Sequence, residues 1–217
     1  MPAFLLSVLQ YLLSLEGVAV VLAVVYLLLA SKQSLWCWAC ALVSSVIYIW
    51  ICWQAHLFME TWLNVFYAVM AVLGWQQWRS GRAGEADGSK PKRAIVTMQL
   101  WQHGACLALV LVLAFANGLL MQRYTSAAWP FVDSFITWSS VVTTLLVVRK
   151  VLENWLYWIV IDGIATVVYF EHGLYLTTLL FAAYVVIVVF GYLQWRREFR
   201  AAQKANLPLS AQDCPVP

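Results

Sequence analysis

Charge is what this chain lacks most. Only 11% of its 217 residues are Asp, Glu, Lys or Arg, whereas 64% are apolar. That is too little polar surface to cover a soluble globule, so the chain belongs in a bilayer. The net charge is only +3, which calls for no nucleic-acid partner. No Lys or Arg precedes Lys32, so the basic start of a cleaved signal peptide is missing. Residues 1–14 are instead expected to form an apolar lead-in helix. The apolar runs are continuous rather than alternating, which excludes a transmembrane β-barrel.

The marks of several chemistries are missing too. No G-x-x-x-x-G-K-[ST] loop occurs, so the chain hydrolyses no nucleotide itself. The last apolar run has no Lys for a retinal Schiff base. Cys37 and Cys40 have CxxC spacing, but the second ligand pair that zinc needs does not follow, and a packed thiol pair is expected. His56, His103 and His172 sit near the ends of apolar runs without clustering. No nucleophile and base share usable spacing and depth. Neither a cofactor nor an enzyme activity is expected.

What remains is span-length apolar sequence. Crossing about 30 Å of hydrocarbon takes roughly 17 to 25 residues of helix. Seven runs qualify: Leu15 to Ala30, Leu35 to Trp53, Phe58 to Trp78, Met98 to Met121, Phe131 to Val148, Asn154 to Phe170 and Leu174 to Trp195. The fold class is therefore an all-α membrane protein with seven transmembrane helices. Twelve of the thirteen Lys and Arg fall after the first, third and fifth runs or in the tail, leaving Arg123 alone on the other side. The positive-inside rule then puts the N-terminus outside and the C-terminus in the cytoplasm.

Shifted by 117 residues, the chain matches itself without a gap. Glu16 falls on Asp133, Lys32 on Arg149, Trp38 on Trp155, Thr61 on Thr178, Tyr67 on Tyr184 and Gly74 on Gly191, and Gln77-Trp78-Arg79 falls on Gln194-Trp195-Arg196. Apolar segments match by accident; charged, Trp and Gly positions in one register do not. Two three-helix units, 15–79 and 131–197, flank a linker helix over 98–123. An odd number of intervening spans makes this a parallel 3+1+3 repeat about an axis along the membrane normal, with one site expected between the bundles. The Gly-rich, charged stretch within 80–97 reads as a cytoplasmic loop, and 198–217 as a cytoplasmic tail expected to be disordered after Phe199.

Asp162 is the most informative single residue. It lies nine positions from Glu153 and nine from Glu171, at mid-membrane. An ionised Asp there costs about 2.5 to 3.5 kcal/mol, so it faces a wet cavity or a partner. A protonated Asp bonded between helices is the plainer alternative. Trp155, Trp158, Asp162, Thr166 and Tyr169 recur at steps of three and four and share one helix face. Trp38, Ala41, Ser45 and Cys52 are the counterparts of Trp155, Trp158, Asp162 and Tyr169 in the first unit, with Tyr48 one turn from Ser45 and Cys52. Aromatic faces of this kind stack planar ligands and attract cations. On the third run Thr61, Asn64, Ala68 and Ala71 form a small polar stripe beside Tyr67, which suits either ligand contact or helix packing. The last run offers Thr177, Thr178, Tyr184 and Tyr192 but no charge.

The segment Glu153-Asn154-Trp155-Leu156-Tyr157-Trp158, with a polar residue at 162, resembles the E-N-W-x-x-W-x-x-x-[ND] signature of the PnuC vitamin transporters. Gly74-Trp75-Gln76-Gln77-Trp78 is similar to that family's G-W-x-x-W ending of the third helix. The resemblance covers Glu16 to Arg197. It implies a fold similar to the SWEET sugar transporters, a homotrimer with one path per protomer, and a bacterial inner-membrane location. It also implies inward facilitated diffusion of nicotinamide riboside, trapped by a cytoplasmic kinase, with thiamine or riboflavin carried by related branches. Asp162 and Asn64 stand where Asn and Gln are expected for nicotinamide riboside, which leaves thiamine open as the alternative cargo. The expected substrate-binding residues are Trp155, Trp158, Asp162, Asn64, Asn154, Tyr48, Tyr67 and Trp38. A non-transporting receptor or scaffold working through the loop is the reading from another class.

Overall fold

The computed structural model describes residues 14–54, 56, 58–80, 94–125 and 128–205. Among the described residues seven helices form: α1 Leu15–Ser31, α2 Trp36–Gln54, α3 Phe58–Ser80, α4 Leu100–Tyr124, α5 Pro130–Val148, α6 Asn154–Glu171 and α7 Tyr175–Ala205. Their starts follow from local chemistry. The Ser14 hydroxyl accepts the Gly17 N–H at 3.1 Å and caps α1. Gln99 and Gln102 bond reciprocally at the head of α4, and Pro130 opens α5 where its missing N–H costs nothing.

Among the described residues four helices, α2, α4, α5 and α7, are long and apolar enough to cross a membrane by length and composition alone. The apolar α1 has 17 residues. The remaining two, α3 and α6, are those that carry Asn64 and Asp162. Polar residues dilute a span's hydropathy yet are tolerated when they face one another inside a bundle.

Packing closes six of the helices into a cycle. Contacts run α1 to α2, α2 to α3, α3 to α5, α5 to α6, α6 to α7 and α7 back to α1. Helix α4 stands outside the cycle, packed along α5, with His103 hydrogen-bonded to the Tyr157 hydroxyl of α6 at 2.7 Å. Val110, Ala114 and Gly118 are its buried stripe, and a Cβ on Gly118 would lie 2.4 Å from the Phe131 ring. Only a few residues separate α1 from α2, α2 from α3, α5 from α6 and α6 from α7, so helices consecutive in the chain alternate in direction. Glu16, Glu60, Asp133 and Glu171 thus gather at one end of the ring, and Lys32, Arg79, Arg149 and Lys150 at the other.

Positions 117 apart make reciprocal contacts at this basic end. Trp78 Nε1 donates to the Val148 carbonyl at 3.2 Å, and Trp195 Nε1 donates to the Ser31 carbonyl at 3.1 Å. Trp38 meets Trp78 edge-on at 5.3 Å, as Trp155 meets Trp195 at 5.4 Å. Gln33 and Lys150 both adopt left-handed backbone, at φ 51° and 57°.

Two expectations need correction. Helix α7 does not stop near Trp195 but continues to Ala205, so the first part of the segment assigned to an unstructured tail is helical. Glu198, Ala201, Ala202, Gln203 and Lys204 are good helix formers, and they only need to propagate an existing helix. Helix α4 begins at Leu100 rather than Met98, because the preceding strand-like residues dock on the α5–α6 turn: Val96 N–H donates to the Lys150 carbonyl, and the Val96 carbonyl accepts from Leu152 N–H. The lead-in up to residue 13, loop residues 81–93 and the tail from 206 lie outside the described residues.

Candidate functional site

Halfway along the ring, every one of its six helices supplies a polar group. Asp162 is the ninth of the 18 residues of α6, and it is buried, at 4% exposure. Tyr67 of α3 and Tyr184 of α7 are counterparts 117 residues apart, and both lie close enough to Asp162 to interact with its charge. Tyr184 also neighbours Tyr48 of α2, and Tyr67 neighbours Tyr26 of α1. The Tyr67 hydroxyl lies near that of Ser140 on α5, which donates to the Ile136 carbonyl at 2.8 Å. The Asp162 carboxylate makes no hydrogen bond or ion pair among the described residues. A buried carboxylate with no cation beside it among the described residues, and two phenols within reach of its charge, favours a positively charged visitor.

Below this belt, toward the basic end, lies an aromatic floor. Trp158, one turn from Asp162, is half-buried and packs on a core containing Trp38, Trp78, Trp155 and Trp195. Trp38 and Trp155 are almost fully buried, against Gly74 and Gly191. Their indole N–H groups have no hydrogen-bond partner among the described residues.

The expected residues thus divide. Asp162, Tyr67 and Tyr48 come together at the belt with Trp158 beneath them. Trp38, Trp155 and Asn154 sit deeper. Asn154 is fully buried, and its Nδ2 donates to the Val151 carbonyl at 2.5 Å while Oδ1 has no partner among the described residues. It starts α6, eight residues or about 12 Å of helix from Asp162. Asn64 is half-buried on the acidic side of Tyr67, with its amide donating to the Glu60 carbonyl at 2.8 Å. Tyr26 and Ser140 were not expected. Their counterparts are Thr143 and Ala23, so the internal match gave no reason to single them out.

The profile of the family described as "Nicotinamide mononucleotide transporter" matches residues 13–197. The chain belongs to the PnuC family of membrane transporters. Its relatives include the riboflavin/roseoflavin transporter RibM of Streptomyces davaonensis, 26% identical over 188 residues that cover 86% of each chain. The nicotinamide riboside transporter PnuC of Escherichia coli is 24% identical over 201 residues, covering 83% of this chain and 84% of that one. A crystal structure of the vitamin B3 transporter PnuC shares the fold, with a TM-score of 0.68 at 20% identity over 90% of this chain and 88% of that one. PnuC membership makes the chain a multi-pass membrane transporter and not an enzyme. It also gives the E-N-W segment a local reading in this chain. Glu153 accepts the Met98 N–H at 3.2 Å, Asn154 braces the turn, and Trp155 fills the groove that Gly191 leaves open.

Proposed function

We propose that this chain carries nicotinamide riboside inward by facilitated diffusion, with cytoplasmic phosphorylation trapping the cargo. The observation that carries the reading is the buried Asp162 carboxylate, which has no partner among the described residues and lies within reach of Tyr67 and Tyr184. The pyridinium ring is planar and cationic and suits both the charge and the aromatic wall. Thiamine has the same two properties and is the alternative. A riboflavin cargo draws support from the similarity to RibM, but its neutral ring leaves Asp162 without a counter-charge.

In this proposal Trp158 stacks on the ring, Asp162 neutralises it, and Tyr48 and Tyr67 close the walls. Asn64 meets the cargo on the outer approach. Asn154 and the indole N–H groups of Trp38 and Trp155, which have no partner among the described residues, offer hydrogen bonds on the inner side. The units 15–79 and 131–197 form a parallel 3+1+3, SWEET-like repeat that rocks about a pseudo-twofold axis, with 98–123 as the linker. The reciprocal contacts of Trp78 and Trp195 support that symmetry. The basic end faces the cytoplasm of a bacterial cell with the N-terminus outside, and the protein assembles as a homotrimer.

Titrating the purified protein separately with nicotinamide riboside, thiamine and riboflavin, while following tryptophan quenching, tests the cargo. Saturable quenching by nicotinamide riboside alone is expected; saturation by riboflavin alone rejects the cationic reading. Trp158→Ala is expected to weaken binding by about 1 to 2 kcal/mol, the scale of a desolvated cation–π contact. Unchanged affinity removes Trp158 from the site. Uptake into vesicles is expected to be insensitive to a protonophore, and inhibition would instead make Asp162 a carrier of a transported proton.

A further inference from the structure

At the basic end a set of polar contacts crosses the ring. Lys150 Nζ donates to Gln33 Oε1 at 2.9 Å. Gln33 Nε2 donates to the Glu198 carboxylate. Trp78 bonds to Val148, and Trp195 to Ser31 and Ala30. Lys150 Nζ also lies 4.7 Å from the centre of the Trp78 ring. Each of these contacts joins the helices of one three-helix unit to those of the other.

Two of the cross-unit contacts are between counterparts. Gln33 and Lys150 are 117 residues apart, as are Trp78 and Trp195, whose rings lie 6.0 Å apart. Residues related by a twofold axis touch one another only at that axis. In a rocking carrier the axis is where the path for cargo runs, so these pairs stand across the path. The pairing also depends on a break in symmetry. Two lysines on the axis would repel and two glutamines would carry no charge, whereas Lys opposite Gln gives a donor and an acceptor. The amide then relays the charge of Lys150 to Glu198. Gln33 and Lys150 are buried, at 5% and 3% exposure, where charge-assisted hydrogen bonds are strong. At the acidic end the cross-unit neighbours include Glu60 and Asp133, which interact through their charges, and like charges favour separation.

We infer that Lys150, Gln33 and Glu198 form a bar across the cytoplasmic exit, roofed by Trp78 and Trp195, which must break for cargo to leave. The inference rests on the carrier reading above, but its test does not use cargo. Two native cysteines on α2 act as reporters. Cys37 is fully buried at the basic end, beside Trp38, and Cys52 is buried near the other end. Opening the bar exposes the first and not the second.

The experiment compares maleimide modification of Cys37 and Cys52 by peptide mass spectrometry in the intact chain and in the Glu198→Gln and Gln33→Leu variants, without any vitamin. Removing one charge-assisted bond present only in the closed state is expected to speed Cys37 modification by about tenfold, with Cys52 unchanged. Glu198 is exposed on α7, so its conservative replacement is not expected to disturb folding. If Cys37 modification stays at the wild-type rate in Glu198→Gln, or rises only in step with Cys52, the bar is not a gate. A wrong choice of vitamin appears only in binding and uptake and leaves this result standing.

Discussion

Asp162→Asn is expected to weaken nicotinamide riboside binding by about 2 to 3 kcal/mol, roughly 30- to 150-fold, while making the empty protein more stable. The two effects have one cause. In the empty protein the Asp162 carboxylate is buried with no hydrogen bond or ion pair among the described residues, and a charge in that position is expensive. The amide has no charge to desolvate, so the variant gains on the order of 1 kcal/mol in the empty state. With cargo bound, the same carboxylate faces a pyridinium, and the amide forfeits that attraction. Thermal unfolding in detergent and tryptophan quenching read the two arms separately. Equal affinity in Asp162→Asn and wild type rejects the assigned role. A large loss of stability in the empty variant indicates that Asp162 is bonded in the fold and does not await a ligand. A neutral cargo such as riboflavin would bind the variant as well as the wild type.

Part of the packing was legible in the register of the sequence against itself. The 117-residue register places Trp38 and Trp155, Gly74 and Gly191, and Tyr67 and Tyr184 on one another, and the structure puts each pair in matching surroundings. Asp162 stood out because a mid-span acid has few innocent explanations. What the sequence concealed was depth. Trp155 and Trp158 share a helix face with Asp162, yet Trp155 sinks into the gap at Gly191 while Trp158 stays half-buried beneath the belt. Helical periodicity gives a direction around the axis but not the distance to the neighbouring helix, which residues on α7 decide. Tyr26 and Ser140 were hidden for a related reason: each joins the belt through partners on other helices, and no local pattern encodes that. The continuation of α7 to Ala205 was missed because hydropathy marks where a span leaves the bilayer, not where its helix stops.

Gly191→Ala and Gly74→Ala are the other substitutions expected to act strongly, and on folding more than on chemistry. A Cβ on Gly191 would lie 2.6 Å from Trp155 Cζ3 and 2.7 Å from Cη2; on Gly74 it would lie 2.4 Å from Trp38 Cε2. Neither indole has room to retreat, since Trp38 is wedged edge-on against Trp78 and Trp155 against Trp195. The helices must therefore part, and overpacking of this kind costs about 1 to 3 kcal/mol. Adding Trp155→Phe to Gly191→Ala is expected to recover stability, because the clash falls on the six-membered half of the indole that Phe lacks. The cycle gives a favourable coupling between substitutions that are each destabilising alone. Rescue of Gly74→Ala by Trp38→Phe is expected to be weaker. There the added methyl meets Cδ2 and Cε2 at the ring fusion, closer to the stem that both side chains share. Thermal unfolding of the four single and two double variants checks this. Additive losses in the Gly191 pair would mean that the glycine is needed for backbone reasons rather than for the ring it admits.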